Sequence, residues 1–129
     1  MKITTQQQLD DLIATANKSN TIVLDEDLEI TFDCKIPCNI KAHGNIKAHG
    51  NITAFDIDAH GNITAWNITA CIITAWNITA WNITAKNIEY YAFCIAYKSL
   101  KCESIAGARK NSFHKCLDQE IEITKEIKL

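Results

Sequence analysis

The sequence predicts an all-β fold, a three-sided parallel β-helix (β-solenoid) with an N-terminal capping α-helix. Three observations carry that prediction. Isoleucine recurs every five or six residues, at 40, 46, 52, 57, 63, 68, 73, 78, 83 and 88. Alanine follows each of the first nine by two residues, at 42, 48, 54, 59, 65, 70, 75, 80 and 85. The units from Asn39 onward run 6, 6, 5, 6, 5, 5, 5, 5 and 5 residues, and long units fall on long ones when three units make a coil.

A two-residue step places Ile and Ala on one side of an extended strand and turns the Thr or Lys between them outward. A five-residue period builds no stripe on a helix of 3.6 residues per turn, so the repeat is not helical. Strands this short bury nothing alone and must stack on their neighbours. Stacked three per coil, the repeats give coils of 17, 16 and 15 residues (39–55, 56–71 and 72–86), a tapering prism. Four per coil leaves the long unit 56–61 on short neighbours. The columns expected are Ile40, Ile57, Ile73 and Ile88; Ile46, Ile63 and Ile78; and Ile52, Ile68 and Ile83. Gly44 and Gly61 share a corner, where glycine can take a positive φ without steric cost. Asn45, Asn62 and Asn77 run down one edge and Asn51, Asn67 and Asn82 down another, where stacked amides can bond along the axis at about 4.8 Å.

Both ends of a solenoid expose strand edges that need covering. Thr5 with Gln8 forms a capping box, and Leu9, Leu12, Ile13 and Ala16 give the apolar face of a helix. Thr21–Leu24 and Leu28–Phe32 follow as strands of an opening coil, with Asp25–Asp27 as the turn between them. One domain spans 1–129: a capping helix over 1–20, an opening coil over 21–38, regular repeats over 39–88, and an irregular coil and C-terminal cap over 89–129. In that last part Tyr90, Ile95, Leu100 and Ile105 take the place of Ala and widen the core. Gly107–Ser112 form a polar loop, and Phe113, Cys116, Leu117, Ile121 and Ile123 close the end.

Length and charge narrow the function. The 129 residues carry a net charge of −2, which suits neither a strongly basic nucleic-acid binder nor a heavily acidic mimic of a nucleic-acid backbone. No apolar run is long enough for a signal peptide or a membrane span, so the expected compartment is cytoplasmic and no membrane partner is expected. There the six cysteines read as reduced small hydrophobes. The spacing of Cys34 and Cys38 has no second pair to complete a metal site, and no metal or other cofactor is expected. Gly-rich phosphate loops, nucleophile elbows and paired carboxylates are missing, so no catalytic residue is assigned and the chain is read as non-enzymatic.

Asn62–Ala85, with its Asn-Ile-Thr-Ala-Trp run, Tyr90–Cys94 and Lys101–Ile105 resemble a group of small bacterial and mobile-element β-helical repeat proteins. That resemblance implies the solenoid and supplies no site residues. The chain is also distantly similar to pentapeptide-repeat proteins, though Ile precedes Ala by two and their acidity is lacking. Units such as Asn45–Gly50 resemble those of hexapeptide-repeat acyltransferases. Such an enzyme needs a histidine in a trimer cleft, nominally His43, His49 or His60, but the chain lacks the extruded loop that builds the donor pocket. An ice-binding surface is a weaker alternative, because the columns Thr53, Thr69, Thr84 and Thr64, Thr79 lie beside Trp and His rather than beside more Thr.

The residue after each Ala sits at a corner. One edge carries His43, His60, Trp76 and Tyr91, a second His49, Trp66 and Trp81, and a third Phe55, Cys71 and Lys86. Tryptophans laddered along an edge either anchor a partner or lie over the corners as architecture, with the N-terminal helix a candidate cover. The binding residues assigned are Trp66, Trp76, Trp81 and His49, together with a basic group of Lys98, Lys101, Arg109 and Lys110. The expected function is a binding protein, of the kind a phage or mobile element uses to inhibit a host protein or nucleoprotein complex. A purely structural or self-assembling solenoid is the runner-up. Direct nucleic-acid binding through the basic group is less favoured, and a homo-oligomer is left open.

Overall fold

The structure, a computed structural model, describes residues 1–124. The elements run in the order β1 (Lys2–Ile3), α1 (Gln6–Ile13), β2 (Thr21–Leu24), β3 (Leu28–Ile30), β4 (Cys34–Lys35), β5 (Asn39–Ala42), β6 (Ile46–Ala48), β7 (Asn51–Thr53), β8 (Asp56–Ala59), β9 (Asn62–Thr64), β10 (Asn67–Cys102), β11 (Ser104–Gly107), β12 (Phe113–Cys116) and β13 (Glu122–Ile123). Every pairing between them is parallel and links one coil to the next, so the chain is a β-solenoid.

The register is three-sided. Ile22 pairs with Ile40, Ile40 with Ile57 and Ile57 with Ile73, and Ile88 pairs with Ile105 one coil later. A second column runs Leu28, Ile46, Ile63, Ile78, and a third Cys34, Ile52, Ile68. A four-sided stack would have set Ile40 over Ile63. The inward Ile and Ala of the repeats are buried without exception from Ile40 to Ile88, and the residues between them face solvent or the strand edge. Burying the Ile side chains contributes about 1.5–3 kcal/mol each, which is what orders such short strands.

Coil length changes along the axis. The steps from Ile22 to Ile40 to Ile57 to Ile73 are 18, 17 and 16 residues, as the taper requires. From Ile88 to Ile105 the step is 17 again, so the prism reopens. The cause is a change of phase after Tyr90. Cys94 and Ala96 occupy the inward positions of the next side, and Leu100 and Cys102 those of the side after it. Ile95, expected in the core, is turned out between Cys94 and Ala96 and half-buried, and Ile105 is also only half-buried. Tyr90 and Leu100 do face inward, as expected.

The corners come in two chemistries. In the wide coils, a side-chain oxygen from the coil below caps the backbone at the turn. Asp27 Oδ1 accepts from Asn45 N (2.7 Å), Asp33 Oδ1 from Asn51 N (2.8 Å) and Asn45 Oδ1 from Asn62 N (2.8 Å). Gly44, Gly50 and Gly61 are the residues that make room. A Cβ on any of them would overlap with that same carboxylate or amide oxygen. No glycine among the described residues has a positive φ, so Gly44 and Gly61 do not use that freedom: their contribution is space. In the narrow coils the glycine is gone and amide bonds amide along the axis, Asn67 to Asn51 (2.7 Å), Asn77 to Asn62 (2.9 Å) and Asn82 to Asn67 (2.7 Å). With no residue to spare at these corners, the backbone stays extended around them, and β10 is one element wound round the prism.

At the N-terminal end α1 starts at the expected capping box, Thr5 accepting from Gln8 N while Gln8 Oε1 accepts from Thr5 N. Its Leu9 and Leu12 are buried on the core. The two-residue strand β1, which has no sequence signal, lays Ile3 against Ile30. The α-amino group of Met1 is held by Asp27 O and the Glu26 carboxylate. Among the described residues no helix is long and apolar enough to cross a membrane.

Among the described residues the apolar positions expected to close the C-terminal end are only partly covered. Cys116 and Ile121 pack partly against the core, but Phe113, Leu117 and Ile123 are 49%, 52% and 59% exposed. These residues lie on the last coil, and no described element lies beyond it to cover them.

Candidate functional site

Three edges run the length of the prism, and the residue after each inward Ala projects from them. On the first, the rings of His43 and His60 are 4.8 Å apart and those of Trp76 and Tyr91 5.2 Å. The third carries the exposed Phe55, with Pro37 and Cys71 beside it along an apolar groove.

The second edge is the most ordered. Trp66 N donates to Gly50 O and Trp81 N to Trp66 O, which fixes successive indoles one coil apart. Their rings stack with centroids 5.3 Å apart and planes within 5° of parallel. Tyr97 continues the row edge-on to Trp81 at 5.9 Å, and Lys98 Nζ lies 5.2 Å from the Trp81 ring centroid, a cation–π contact. His49 begins the row. Its Nε2 lies 2.6 Å from Glu29 Oε2, and that hydrogen bond is the main reason the Glu29 carboxyl is held below its ordinary pKa. A shallow groove runs beside the row, floored by the outward Lys47, Thr64 and Thr79.

The indoles remain in solvent despite stacking on one another: Trp66 is 53%, Trp81 38% and Trp76 54% exposed. The helix α1 packs beside β1 at the end of the prism and does not cover them.

The assigned residues do not all converge. His49, Trp66, Trp81 and Lys98 share the second edge, whereas Trp76 stands on the first. The basic group is scattered. Arg109 N donates to Tyr91 O, which places Arg109 on the first edge beside Lys110. Lys101 lies on the third side, 3.8 Å from Glu122. The expectation of one basic patch from Lys98, Lys101, Arg109 and Lys110 is corrected, because residues close in sequence here lie on different faces of a turn of the prism. Tyr97 was missed. The signal for it was legible, since it follows the inward Ala96 as Trp81 follows Ala80.

Other polar groups are engaged structurally. Tyr90 reaches through the core so that its hydroxyl meets His114 Nδ1 at 2.6 Å, and burial pushes its pKa up. The Cys34 thiol is raised to about 11 by burial and the nearby Asp33, and Cys94 to about 12 by burial and Cys102, so neither is a nucleophile near neutral pH. Among the described residues no three His, Cys, Asp or Glu side chains are grouped to hold a metal ion. No protein-family model matches the chain, and no curated protein or solved structure matches it significantly.

Proposed function

We propose that the chain is a binding module and that its recognition surface is the edge of His49, Trp66, Trp81 and Tyr97, with Lys98 beside it. One observation carries this reading: two tryptophans held parallel by backbone bonds of successive coils, yet open to water. Exposed indoles cost solubility, and a ladder of them on a rigid frame is prepaid for binding, because little side-chain freedom is left to lose.

The chemistry favours a protein as partner. Bases and sugars bind by lying on aromatic faces. Here the face between Trp66 and Trp81 is already used, at a spacing too narrow to admit another ring. What is offered is the ring edges, the flank along Lys47, Thr64 and Thr79, and the Lys98 ammonium. Aromatic groups ringed by polar contacts are the composition of protein hot spots.

The test is the pair Trp66→Ala with Trp81→Ala, compared with Trp76→Ala on the first edge. Removing two anchors should cost about 2–4 kcal/mol each in binding and about 0.5 kcal/mol each in stability. A protein captured by the wild-type chain and by Trp76→Ala, and lost from the double variant with its melting temperature within a few degrees of wild type, is the expected result. Capture that survives the double change and weakens steeply with salt points to the lysines instead.

A further inference from the structure

The last coil is built like an interior coil and, among the described residues, has no neighbour beyond it. Its inward positions are occupied by residues registered on buried ones: Ile105 over Ile88, His114 over Cys94, Cys116 over Ala96 and Ile123 over Cys102. The lower member of each pair is buried, the upper one is half-buried or exposed. The strands β11, β12 and β13 each pair with β10 on one side, and among the described residues the other side of each has no strand partner. A three-sided ring of open N–H and C=O groups around an apolar centre is matched by another β edge of the same outline.

We infer that a second copy of this chain supplies it, the two solenoids meeting C-terminal end to C-terminal end about a two-fold axis. The opposite end of the chain cannot serve, because α1 and β1 close it with Leu9, Leu12 and Ile3 buried. Charge selects the axis. The corner after β11 carries Arg109 and Lys110, and the corner after β12 carries Asp118 and Glu120, all exposed. Asp118 N donates to Tyr97 O as Arg109 N does to Tyr91 O, so the two corners stand on neighbouring edges at one level. A two-fold axis through the middle of β12 exchanges them, and each basic corner meets the partner's acidic one. The same rotation sets β12 antiparallel to its copy and β11 antiparallel to the partner's β13, so that Ile105 and the partner's Ile123 close the core between them. The like charges brought together are the two exposed Lys115 side chains, a minor cost beside two attractive corners. Closure by a two-fold also stops growth at two chains.

Sedimentation equilibrium of the full chain, from micromolar to hundreds of micromolar, should give a mass rising to twice 14.5 kDa and no further. Ile105→Asp with Ile123→Asp should leave a monomer with unchanged circular dichroism. Arg109→Glu with Lys110→Glu, and separately Asp118→Lys with Glu120→Lys, should each weaken self-association at least about tenfold, and an equal mixture of those two variants should recover the wild-type mass as a heterodimer. Trp66→Ala with Trp81→Ala should leave the mass unchanged, which separates this surface from the aromatic edge. A monomer at every concentration, open-ended oligomers, or a charge-reversed mixture that fails to associate would each overturn the inference. A monomeric wild type would mean that residues 125–129 or another protein cover this end.

Discussion

At the N-terminal end of the solenoid, the apolar side chains that face along the axis are covered, by Leu9 and Leu12 of α1 and by Ile3 of β1. At the C-terminal end the equivalent positions, Ile105, Cys116 and Ile123, look partly or wholly into solvent. The two ends face the same physical problem. A coil satisfies its neighbours only through its upper and lower edges, and repeating it always leaves one edge over. The N-terminal end covers its apolar centre by changing secondary structure, since a helix bonds its own backbone and needs only an apolar face to sit on the core. Among the described residues β1, β2 and β4 still each have a strand partner on one side only. The C-terminal end goes on making strands. A repeat therefore does not terminate itself, and an end that stays β within the chain's own described residues is an end with unused pairing capacity.

The largest effect expected from this contrast is in stability. Leu9→Ala removes a side chain from the closed end and should cost about 2–5 kcal/mol in chemical denaturation. Leu117→Ala makes the same deletion at the open end and should stay within about 0.5 kcal/mol, measured at a concentration low enough for monomer. Equal losses would abolish the contrast.

A smaller effect follows along one column. Ala80 stands in the middle of the prism, with Ala65 and Ala96 in the coils on either side, and Ala80→Leu should overpack it by about 1–3 kcal/mol. Cys116 holds the same column position in the last coil, where it is only half-buried. Cys116→Leu should fold with little penalty, and Thr79→Leu, next to Ala80 but outward, should be close to neutral. If Cys116→Leu proved as costly as Ala80→Leu, the last coil would be as enclosed as the interior.

The smallest effect is seen only in alkali. The Cys34 and Cys94 thiols are raised from 9.0 to about 11 and about 12, chiefly by burial. A group whose folded pKa exceeds its unfolded value contributes stability that is intact below the unfolded value and lost as pH climbs through the folded one. Stability should hold up to about pH 9 and fall between there and about pH 12, less steeply in Cys94→Ala. At pH 8 a thiol reagent should modify the half-buried Cys71 and Cys116 first, and a Cys34 or Cys94 that reacted as fast would show that those coils open.

Much of the regular part was legible in the sequence because its signals are local. The two-residue step of Ile and Ala gives the inward face, the unit lengths give the number of sides, and Thr5 with Gln8 gives the start of α1. The role of Gly44, Gly50 and Gly61 was not legible, since it depends on Asp27, Asp33 and Asn45 reaching up from the coil below. The change of phase after Tyr90 was missed for a related reason. Cys94 and Ala96 are small enough to read as either face, and the bulkier Ile95 between them drew the assignment outward by one residue. On the second edge the tryptophans were found from their position after Ala, while Tyr97 was passed over because the repeat had by then lost its regular step.

The sequence alone determined the period and the inward face, because each is set by residues fewer than seven apart, and the three-sided coil, because units of equal length must stack on one another. Tertiary structure decided the rest: which edge holds two parallel indoles in water, that Lys98 and Lys101 lie apart from Arg109 and Lys110, and that among the described residues the apolar positions are covered at one end and exposed at the other. Each of these depends on residues 15 or more positions apart meeting through a coil, and the contact between coils, not the repeat within one, is what fixes them.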